Sequence, residues 1–415
     1  MYLTGSIHRD RLFGIAMRWL ADRVEPGDGA FVTELFIYDN LITTVPVRRF
    51  LDAVQAAIHP GPVCIRRLTD KDALREAIIA GLQAPSDRCR WLLDRYRRHP
   101  EEYFPRTPAD MVVAGTPEGR LIWTTRIKGI RRIAEKTSRR VAGWLSGAIN
   151  ARAQAFAEAR AWEAGLPLAL FHSNADMMKE DFFRAERAVS RSFKQGPLAP
   201  EPAQMRVDDV IGIKFFAEPE VQARIEEAIR AYPHARVAER EVHEGAYNDV
   251  NLLVDISLPP VGAIIDRAQG LDWSYAAGRG LPATVLARDF PDYVESGAGT
   301  FRAEVILATP EEEIESEFGR SIHEERTMVQ RSAHPHSGRI ATNASHIVEF
   351  LLMLAISPSV EVENIPVKMW GRYLPDTIAI AIWKLWGVEI GVRTAASFLP
   401  DPVLVQKPAG ETPQP

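Results

Sequence analysis

Cysteine is scarce in this sequence of 415 residues, which contains only Cys64 and Cys89. Two cysteines without CxxC spacing exclude a disulfide framework and the common zinc and thiol-redox motifs, and they favour a reducing compartment. Long apolar runs are also missing, because the most apolar stretches, Ile347 to Ile356 and Ile378 to Val388, are far shorter than the roughly 20 residues that span a bilayer. The first residues carry no basic segment leading into an apolar one, so we expect no secretory signal. These absences predict a soluble cytoplasmic protein with no membrane partner.

An excess of charge of one sign is lacking as well, since 50 Lys and Arg stand against 55 Asp and Glu, a formal net charge of -5. Nothing global marks a nucleic-acid-binding or membrane-surface protein, so any anion-binding surface must be local. No repeat with a period of roughly 20 to 50 residues is visible, which excludes solenoids and propellers. The composition is otherwise that of an ordinary globular protein, 46% hydrophobic and 25% charged. We expect two domains, because a single core rarely grows beyond about 300 residues.

The first 165 residues predict an N-terminal α/β domain of unknown role, separate from the rest of the chain. A second domain is expected over residues 166–399, and the Pro-rich residues 400–415 are expected to be disordered. Helical spacing of apolar residues, helix-start residues and β-branched runs define the elements of the first domain. They are helices at 8–24, 47–58, 70–82, 86–98 and 141–164, an extended segment at 31–45, and strands at 63–68, 111–114 and 121–125.

A dense basic cluster lies between Arg126 and Arg140, where seven Lys and Arg residues stand against Glu135 alone. Clustered cations of this kind are typical of a contact with phosphate groups or RNA. A solvated helix face would have the same composition. The pattern therefore leaves both interpretations open.

A second basic cluster lies on a helix predicted from Asp181 to Gln195. Its Arg184, Arg187, Arg191 and Lys194 recur at intervals of three and four residues, which places them on one side of the helix. Four cations on one face can bind a polyphosphate, and Arg can also stack on a base. A solvated basic face is the alternative interpretation.

Two carboxylates stand at the beginnings of apolar strands in the second half of the chain. Asp209 precedes a strand that ends at Phe216, and Glu304 opens the apolar run Val305 to Leu307. A charge at such a place needs a partner or a metal, and carboxylate oxygens are ligands that Mg²⁺ prefers. Asp209 could instead be a turn or cap residue, and Glu304 could face solvent at a strand edge.

Two further side chains are candidates for contact with a nucleotide. Tyr247 lies in a turn before the strand that ends at Ile256, where its ring could stack on a purine or simply complete the core or its rim. His323 lies on an acidic helix predicted from Pro310 to Arg326, although acidic residues in a first turn also suit the helix macrodipole.

These motifs follow one another in a distinctive order. A basic helix with R-x-x-x-x-x-S-x-x-x-K is followed by a strand with D-x-x-G-x-K, a G-x-Y turn, and a strand with E-V-x-L-x-T that leads into a helix with His. The residues in these places are Arg184, Ser190, Lys194, Asp209, Gly212, Lys214, Gly245, Tyr247, Glu304, Thr309 and His323. In this order the chain resembles the synthetase domain of the RelA/SpoT family of alarmone synthetases, over about residues 181–326.

The resemblance implies an α/β (α+β) fold with a nucleotidyltransferase-like mixed β-sheet flanked by helices. It also implies a Mg²⁺-dependent pyrophosphokinase that transfers pyrophosphate from ATP to the 3′-hydroxyl of GDP, GTP or a related nucleotide acceptor. Asp209 and Glu304 would be the catalytic residues and would ligate Mg²⁺. The binding residues that the resemblance implies are Arg184, Arg187, Ser190, Lys194 and Lys214 for ATP, and Tyr247, Asn251 and His323 for the acceptor.

The sequence departs from the family pattern at the acceptor side. Ile306 and Ala308 stand where the family strand has Gln and Arg, and Asn251 stands where the family has His. The chain also contains no His-Asp dipeptide, so hydrolysis of alarmones is not expected. Two alternatives follow. One is the same chemistry on a tRNA acceptor by a toxin-like enzyme, with residues 126–140 docking the RNA; the other is a degenerate, non-catalytic nucleotide-binding regulator.

Overall fold

A mixed β-sheet of seven strands, flanked by helices, organises the described part of the chain in this computed structural model. The structure describes residues 1–82, 84–100, 108–172, 175–196, 198–243, 248–274, 281–319 and 339–355, together with residues 362, 365, 384, 389–390 and 404–405. The mixed α/β class predicted from the sequence is confirmed. Most of the expected disordered tail lies outside the described residues.

The elements are named in chain order. The helices are α1 (Arg9–Leu20), α2 (Asp28–Ile58), α3 (Lys71–Ala80), α4 (Asp87–Arg98), α5 (Ile130–Ala164), α6 (Leu168–His172), α7 (Ala175–Gln195), α8 (Pro219–Ala231), α9 (Val261–Ala268), α10 (Ala283–Ser296), α11 (Pro310–Phe318) and α12 (Arg339–Met353). The strands are β1 (Tyr2–Leu3), β2 (Cys64–Asp70), β3 (Pro108–Gly115), β4 (Leu121–Ile127), β5 (Arg206–Val207), β6 (Ile211–Phe216), β7 (Ala235–His243), β8 (Asp249–Ser257), β9 (Thr300–Ala308), β10 (Glu389–Ile390) and β11 (Leu404–Val405).

The strand order of the large sheet is β2-β3-β4-β6-β9-β8-β7. Neighbouring strands are antiparallel except β6 and β9, which are parallel. β4 pairs with β6 through the Cα partners Trp123 and Phe215, so strands from before and after residue 165 share one sheet. One hydrophobic core also runs from Met1 to Ile365. The boundary expected near residue 165 therefore separates neither two sheets nor two cores.

Local sequence signals explain the starts of three helices, α3, α4 and α11. Asp70 accepts a hydrogen bond from the backbone N–H of Ala73 at 2.8 Å and thereby caps α3, and Ser86 caps α4 in the same way. Thr309 and Glu312 form a reciprocal capping box at the start of α11. Each of these side chains satisfies a backbone N–H that the first helical turn leaves without a partner.

The extended segment expected at residues 31–45 is wrong, because these residues belong to the single long helix α2. Its β-branched residues favour strand locally. However, Phe31, Leu35, Tyr38 and Ile42 are buried at intervals of three and four residues, so the helix places one apolar face against the core. Tertiary burial outweighs the local propensity here.

The two faces of the sheet differ in chemistry. On one face Trp123, Phe215, Val305 and Leu307 are fully buried in the main core. The other face is apolar only towards β2 and β3, where α3, α4 and α11 pack over it in a second, smaller core. Beyond that core, β4, β6, β9 and β8 present mostly polar residues on this face, together with Gly212 and Ile306. Neighbouring strands pair these residues in two rows, Arg126, Gly212 and Glu304 in one, and Thr124, Lys214, Ile306 and Asn251 in the other.

Candidate active site

Asp209 and Glu304 lie close together on the polar face of the sheet. Glu304 is the Cα partner of Gly212 in the parallel pair β6 and β9, and Asp209 precedes β6 by two residues. The ammonium group of Lys128 pairs with Asp209 and lies 3.7 Å from Glu304 Oε2. The structure thus brings together the two carboxylates that the sequence analysis had linked across 95 residues of chain.

Lys128 and Lys136 come from the basic segment 126–140 and form the cationic side of the site. Lys128 follows β4, and its backbone N–H donates to Val210 O at 2.8 Å, which fixes the start of the lysine stem. Lys136 lies in the second turn of α5 and pairs with the same Asp209 oxygen as Lys128. Burial lowers the pKa of Lys128 to about 8 and that of Lys136 to about 7, since a desolvated ammonium is costly.

An open cleft lies beside this cluster on the polar face of the sheet. Gly212 forms part of its floor, and a Cβ placed there would find Arg126 O as its nearest neighbour at 3.9 Å. The absence of a side chain at Gly212 therefore leaves room for a ligand rather than for packing. The cleft is lined by Leu74, Met111, Thr124, Thr125, Arg126, Lys128, Gly212, Ile213, Lys214, Glu304, Ile306, Glu313 and Glu317.

Asn251 orients Glu304 from the neighbouring strand β8. Its side-chain amide Nδ2 donates to Glu304 Oε1 at 3.2 Å, while Glu304 Oε2 faces Lys128. The Oδ1 atom of Asn251 is buried and has no hydrogen-bond partner among the described residues. A buried acceptor of this kind is costly unless a donor arrives, so Asn251 is a candidate for contact with a ligand hydroxyl or amine.

Lys214 lines the same cleft but is held by an acidic helix. Its Nζ atom donates to Glu313 Oε2 at 2.6 Å, and burial raises the pKa of Glu313. Lys71 forms a second bridge to this helix through Glu317 at 2.7 Å. α11 therefore borders the cleft with carboxylates that are already paired with lysines.

The basic face of α7, by contrast, lies away from the carboxylates. The guanidinium of Arg184 stacks over the ring of Phe156 at 4.3 Å from its centroid. Phe156 follows Lys136 by 20 residues on α5, which corresponds to about 30 Å of helix. The structure thus does not bring Arg184 to Asp209 and Glu304.

The rest of the α7 face points to the same conclusion. All four of its cations are exposed, and Ser190 is half-buried. Phe193, next to Lys194, contacts Trp144 with ring centroids 6.1 Å apart. Trp144 in turn lies eight residues, or about 12 Å of helix, beyond Lys136.

A signal for the cations that do reach the site is present in the sequence. Arg126, Arg132 and Lys136 stand at the same intervals as Arg184, Ser190 and Lys194, with Arg132 in the place of the serine. The segment therefore repeats the spacing of the basic helix motif except for that one residue. The sequence analysis assigned the motif to the later helix, from Asp181 to Gln195.

The remaining acceptor-side residues divide into two groups. Asn251 contacts Glu304 directly. Tyr247 and His323 lie outside the described residues.

The carboxylate pair fits a magnesium ion as a donor set. Mg²⁺ takes oxygen ligands, usually one or two carboxylates and several waters, and Asp209 and Glu304 both approach one cation, the Lys128 ammonium. Within the residues that the structure describes, no group of three or more His, Cys, Asp or Glu residues could hold a metal. Asp209 and Glu304 are thus two carboxylates that a single cation beside this cleft can reach at once.

Comparison with known proteins adds no assignment, because no protein-family model, curated protein or solved structure matches this chain. In the described part of the chain, no helix has both the length and the apolar composition needed to cross a membrane.

Proposed function

We propose that this protein is a Mg²⁺-dependent pyrophosphokinase that transfers pyrophosphate from ATP to the 3′-hydroxyl of a nucleotide acceptor, GDP or GTP being the first candidates. The observation that carries the proposal is that Arg126, Lys128 and Glu304 line one open cleft, while Asp209 pairs with Lys128 and with Lys136 beside it. Transfer of a phosphoryl-type group depends mainly on positioning and on neutralising charge. Two carboxylates beside a cluster of cations can supply both.

The cations at the cleft would bind the polyphosphate of ATP. Arg126 is exposed and lines the cleft together with Lys128, and Lys136 pairs with Asp209 beside it. Arg can bind two phosphate oxygens at once, whereas Lys acts as a point charge. ATP binding is thus assigned to the basic segment 126–140, which repeats the spacing of the motif, and no longer to the basic residues of α7.

The two oxygens of Glu304 have different neighbours, which suggests different roles. Oε2 lies 3.7 Å from the Lys128 ammonium, which also pairs with Asp209, so Asp209 and Glu304 Oε2 would hold Mg²⁺, which would neutralise phosphate charge when bound. Oε1, oriented by Asn251, would accept the proton of the 3′-hydroxyl. The 3′-oxygen then bonds to the β-phosphorus of ATP, the bond from that phosphorus to the α,β-bridging oxygen breaks, and AMP leaves with that oxygen.

The test is an incubation of the full chain with Mg²⁺, ATP labelled at the γ-phosphate and a panel of GDP, GTP, ADP and tRNA, resolved by chromatography. We expect label on one acceptor and equimolar AMP. Asp209→Asn and Glu304→Gln should each lower the rate at least 100-fold, whereas Arg184→Gln, the matched control on α7, should not. Transfer that persists in both carboxylate variants would show that the site is wrong.

A non-catalytic nucleotide-binding regulator is the second candidate. It is favoured by Ile306, whose apolar side chain lines the cleft beside Lys214 where the family strand has Gln. This reading predicts nucleotide binding by calorimetry, with and without Mg²⁺, and no transfer to any member of the panel.

An RNA acceptor is the third candidate. Arg131 and Arg140 of the basic segment are exposed and could contact an RNA backbone next to the cleft. Strongly salt-dependent tRNA binding that is lost on neutralising Arg131 and Arg132 would favour this version over a small nucleotide.

A further inference from the structure

The carboxylates of the proposed site already have cationic partners. Asp209 pairs with Lys128 and with Lys136, and Lys128 also reaches Glu304. The side chains are mostly removed from water, with 12% of Lys128 and 13% of Asp209 exposed. When both lysines are protonated, two carboxylates face two ammonium groups, and their formal charges cancel.

This balance opposes the entry of a free divalent cation. Mg²⁺ alone would add two positive charges to a partly buried cluster in which the Asp209 oxygen is already shared by two lysines. A polyphosphate changes the balance, because it brings several negative charges and gives both lysines a new partner. The lysines can then leave the carboxylate oxygens to the metal.

The local geometry allows such an exchange without movement of the backbone. The backbone of Lys128 is tied to Val210, and Lys136 lies within the continuous helix α5. Both have long side chains with four rotatable bonds, and Lys128 lines the cleft in which a polyphosphate would lie. Only the two ammonium groups need to turn.

We propose that Lys128 and Lys136 are built-in counter-ions of Asp209 and Glu304, so that the divalent cation enters the site together with the nucleotide polyphosphate and not before it. This inference rests on the proposed function. The inference adds an order in which the nucleotide and the cation bind. It also gives the two lysines two roles: they pair with the carboxylates before the nucleotide binds and with its phosphates afterwards.

The experiment measures binding of Mn²⁺, used as a probe for Mg²⁺, by electron paramagnetic resonance of the full chain. It is done with and without the α,β-methylene analogue of ATP, in which the bond to be broken is replaced. We expect the protein to bind Mn²⁺ with at least tenfold higher affinity when the analogue is present. This comparison is corrected for the Mn²⁺ that the free analogue binds.

Variants of the lysines give the sharper readout. Lys136→Gln should bind free Mn²⁺ several-fold more tightly and the analogue several-fold more weakly, two effects in opposite directions that a merely structural role would not produce. Lys128→Gln should behave in the same way and provides a second variant if one fails to fold, as judged by circular dichroism. Lys194→Gln, an exposed lysine on α7, should change neither affinity.

The results of these binding experiments distinguish a failure of the counter-ion inference from a failure of the proposed function. Tight Mn²⁺ binding without the analogue, or a Lys136→Gln variant that weakens both ligands alike, overturns the counter-ion inference and leaves the proposed function standing. If neither Mn²⁺ nor the analogue binds in any combination, the proposed function fails and the inference fails with it.

Discussion

Lys136 and Asp209, 73 residues apart in sequence, form an ion pair that ties the second turn of α5 to the segment before β6. Lys128 pairs with the same carboxylate oxygen, so the two lysines depend on one acid. The loss of the acid and the loss of one lysine are therefore not equivalent.

We therefore expect substitutions of Asp209 and of Lys136 to lower the free energy of unfolding by different amounts. Asp209→Asn should lower the free energy of unfolding by about 2 kcal/mol, because two partly buried ammonium groups lose their shared partner. Lys136→Met should lower it by less than about 1 kcal/mol, since Lys128 still neutralises Asp209. Urea denaturation of both variants checks this; equal losses would argue against the shared carboxylate.

Gly212→Ala should separate folding from ligand binding. A Cβ at this position meets nothing closer than Arg126 O at 3.9 Å, so the fold can accept it, and alanine in a strand is favourable over glycine by about 0.5 kcal/mol. The methyl group would nevertheless occupy the cleft floor. We expect an unchanged or slightly raised melting temperature and about tenfold weaker nucleotide binding, a loss of about 1.4 kcal/mol, by calorimetry. A drop in melting temperature without a change in affinity would contradict this.

Arg126→Gln and Arg184→Gln form a matched pair that distinguishes the two basic clusters. Arg126 lines the cleft, whereas Arg184 stacks on Phe156 about 30 Å along α5 from Lys136. We expect the first change to weaken ATP binding about tenfold or more and the second to leave it within twofold, measured at one salt concentration. The reverse result would restore α7 as the ATP-binding helix.

The pH dependence of stability should contain a contribution from Asp39 on α2. Burial raises its pKa from 3.8 to about 6, and the hydroxyl of Tyr293 donates to its Oδ1 at 2.7 Å. Because the pKa is higher in the folded protein than in the unfolded chain, this stability is fully present below about pH 4 and is lost as the pH rises through 6.

Asp39→Asn keeps an acceptor for Tyr293 and removes the titration. We therefore expect the variant to be more stable than the wild type at pH 8, by on the order of 1 to 2 kcal/mol, with no advantage at pH 4. Glu34, whose pKa burial raises to about 7, titrates in both proteins, so the difference between them isolates Asp39. Thermal melts at the two pH values provide the measurement, and a difference that does not depend on pH would refute the assignment.

Much of the secondary structure could be predicted from local sequence. Asp70 and Ser86 mark helix starts because their side chains cap the first turn, and that requires only neighbours three residues away. The extended segment predicted at residues 31–45 was wrong because distant contacts, not neighbouring residues, decide its structure. Its β-branched residues favour strand locally, but the core buries Phe31 and Leu35 along a helical face.

The candidate site was only partly predictable. Asp209 and Glu304 could be found because a carboxylate at the start of an apolar strand is unusual enough to indicate a partner. The choice of basic cluster could not be made locally, since Arg126, Arg132 and Lys136 have the same spacing as the corresponding residues of α7. The spacing of basic residues along the chain says nothing about which other element lies beside them.

The sequence by itself determined the mixed α/β class, most of the elements, the two carboxylates and the two basic clusters, because each is encoded by residues close together in the chain. Only the tertiary structure decided that one sheet spans both halves and that the earlier cluster meets the carboxylates. The physical reason is the pairing of β4 with β6, in which Arg126 is the Cα partner of Gly212, 86 residues away, and Gly212 in turn that of Glu304. Such pairings depend on how whole faces are buried, which no short stretch of sequence specifies.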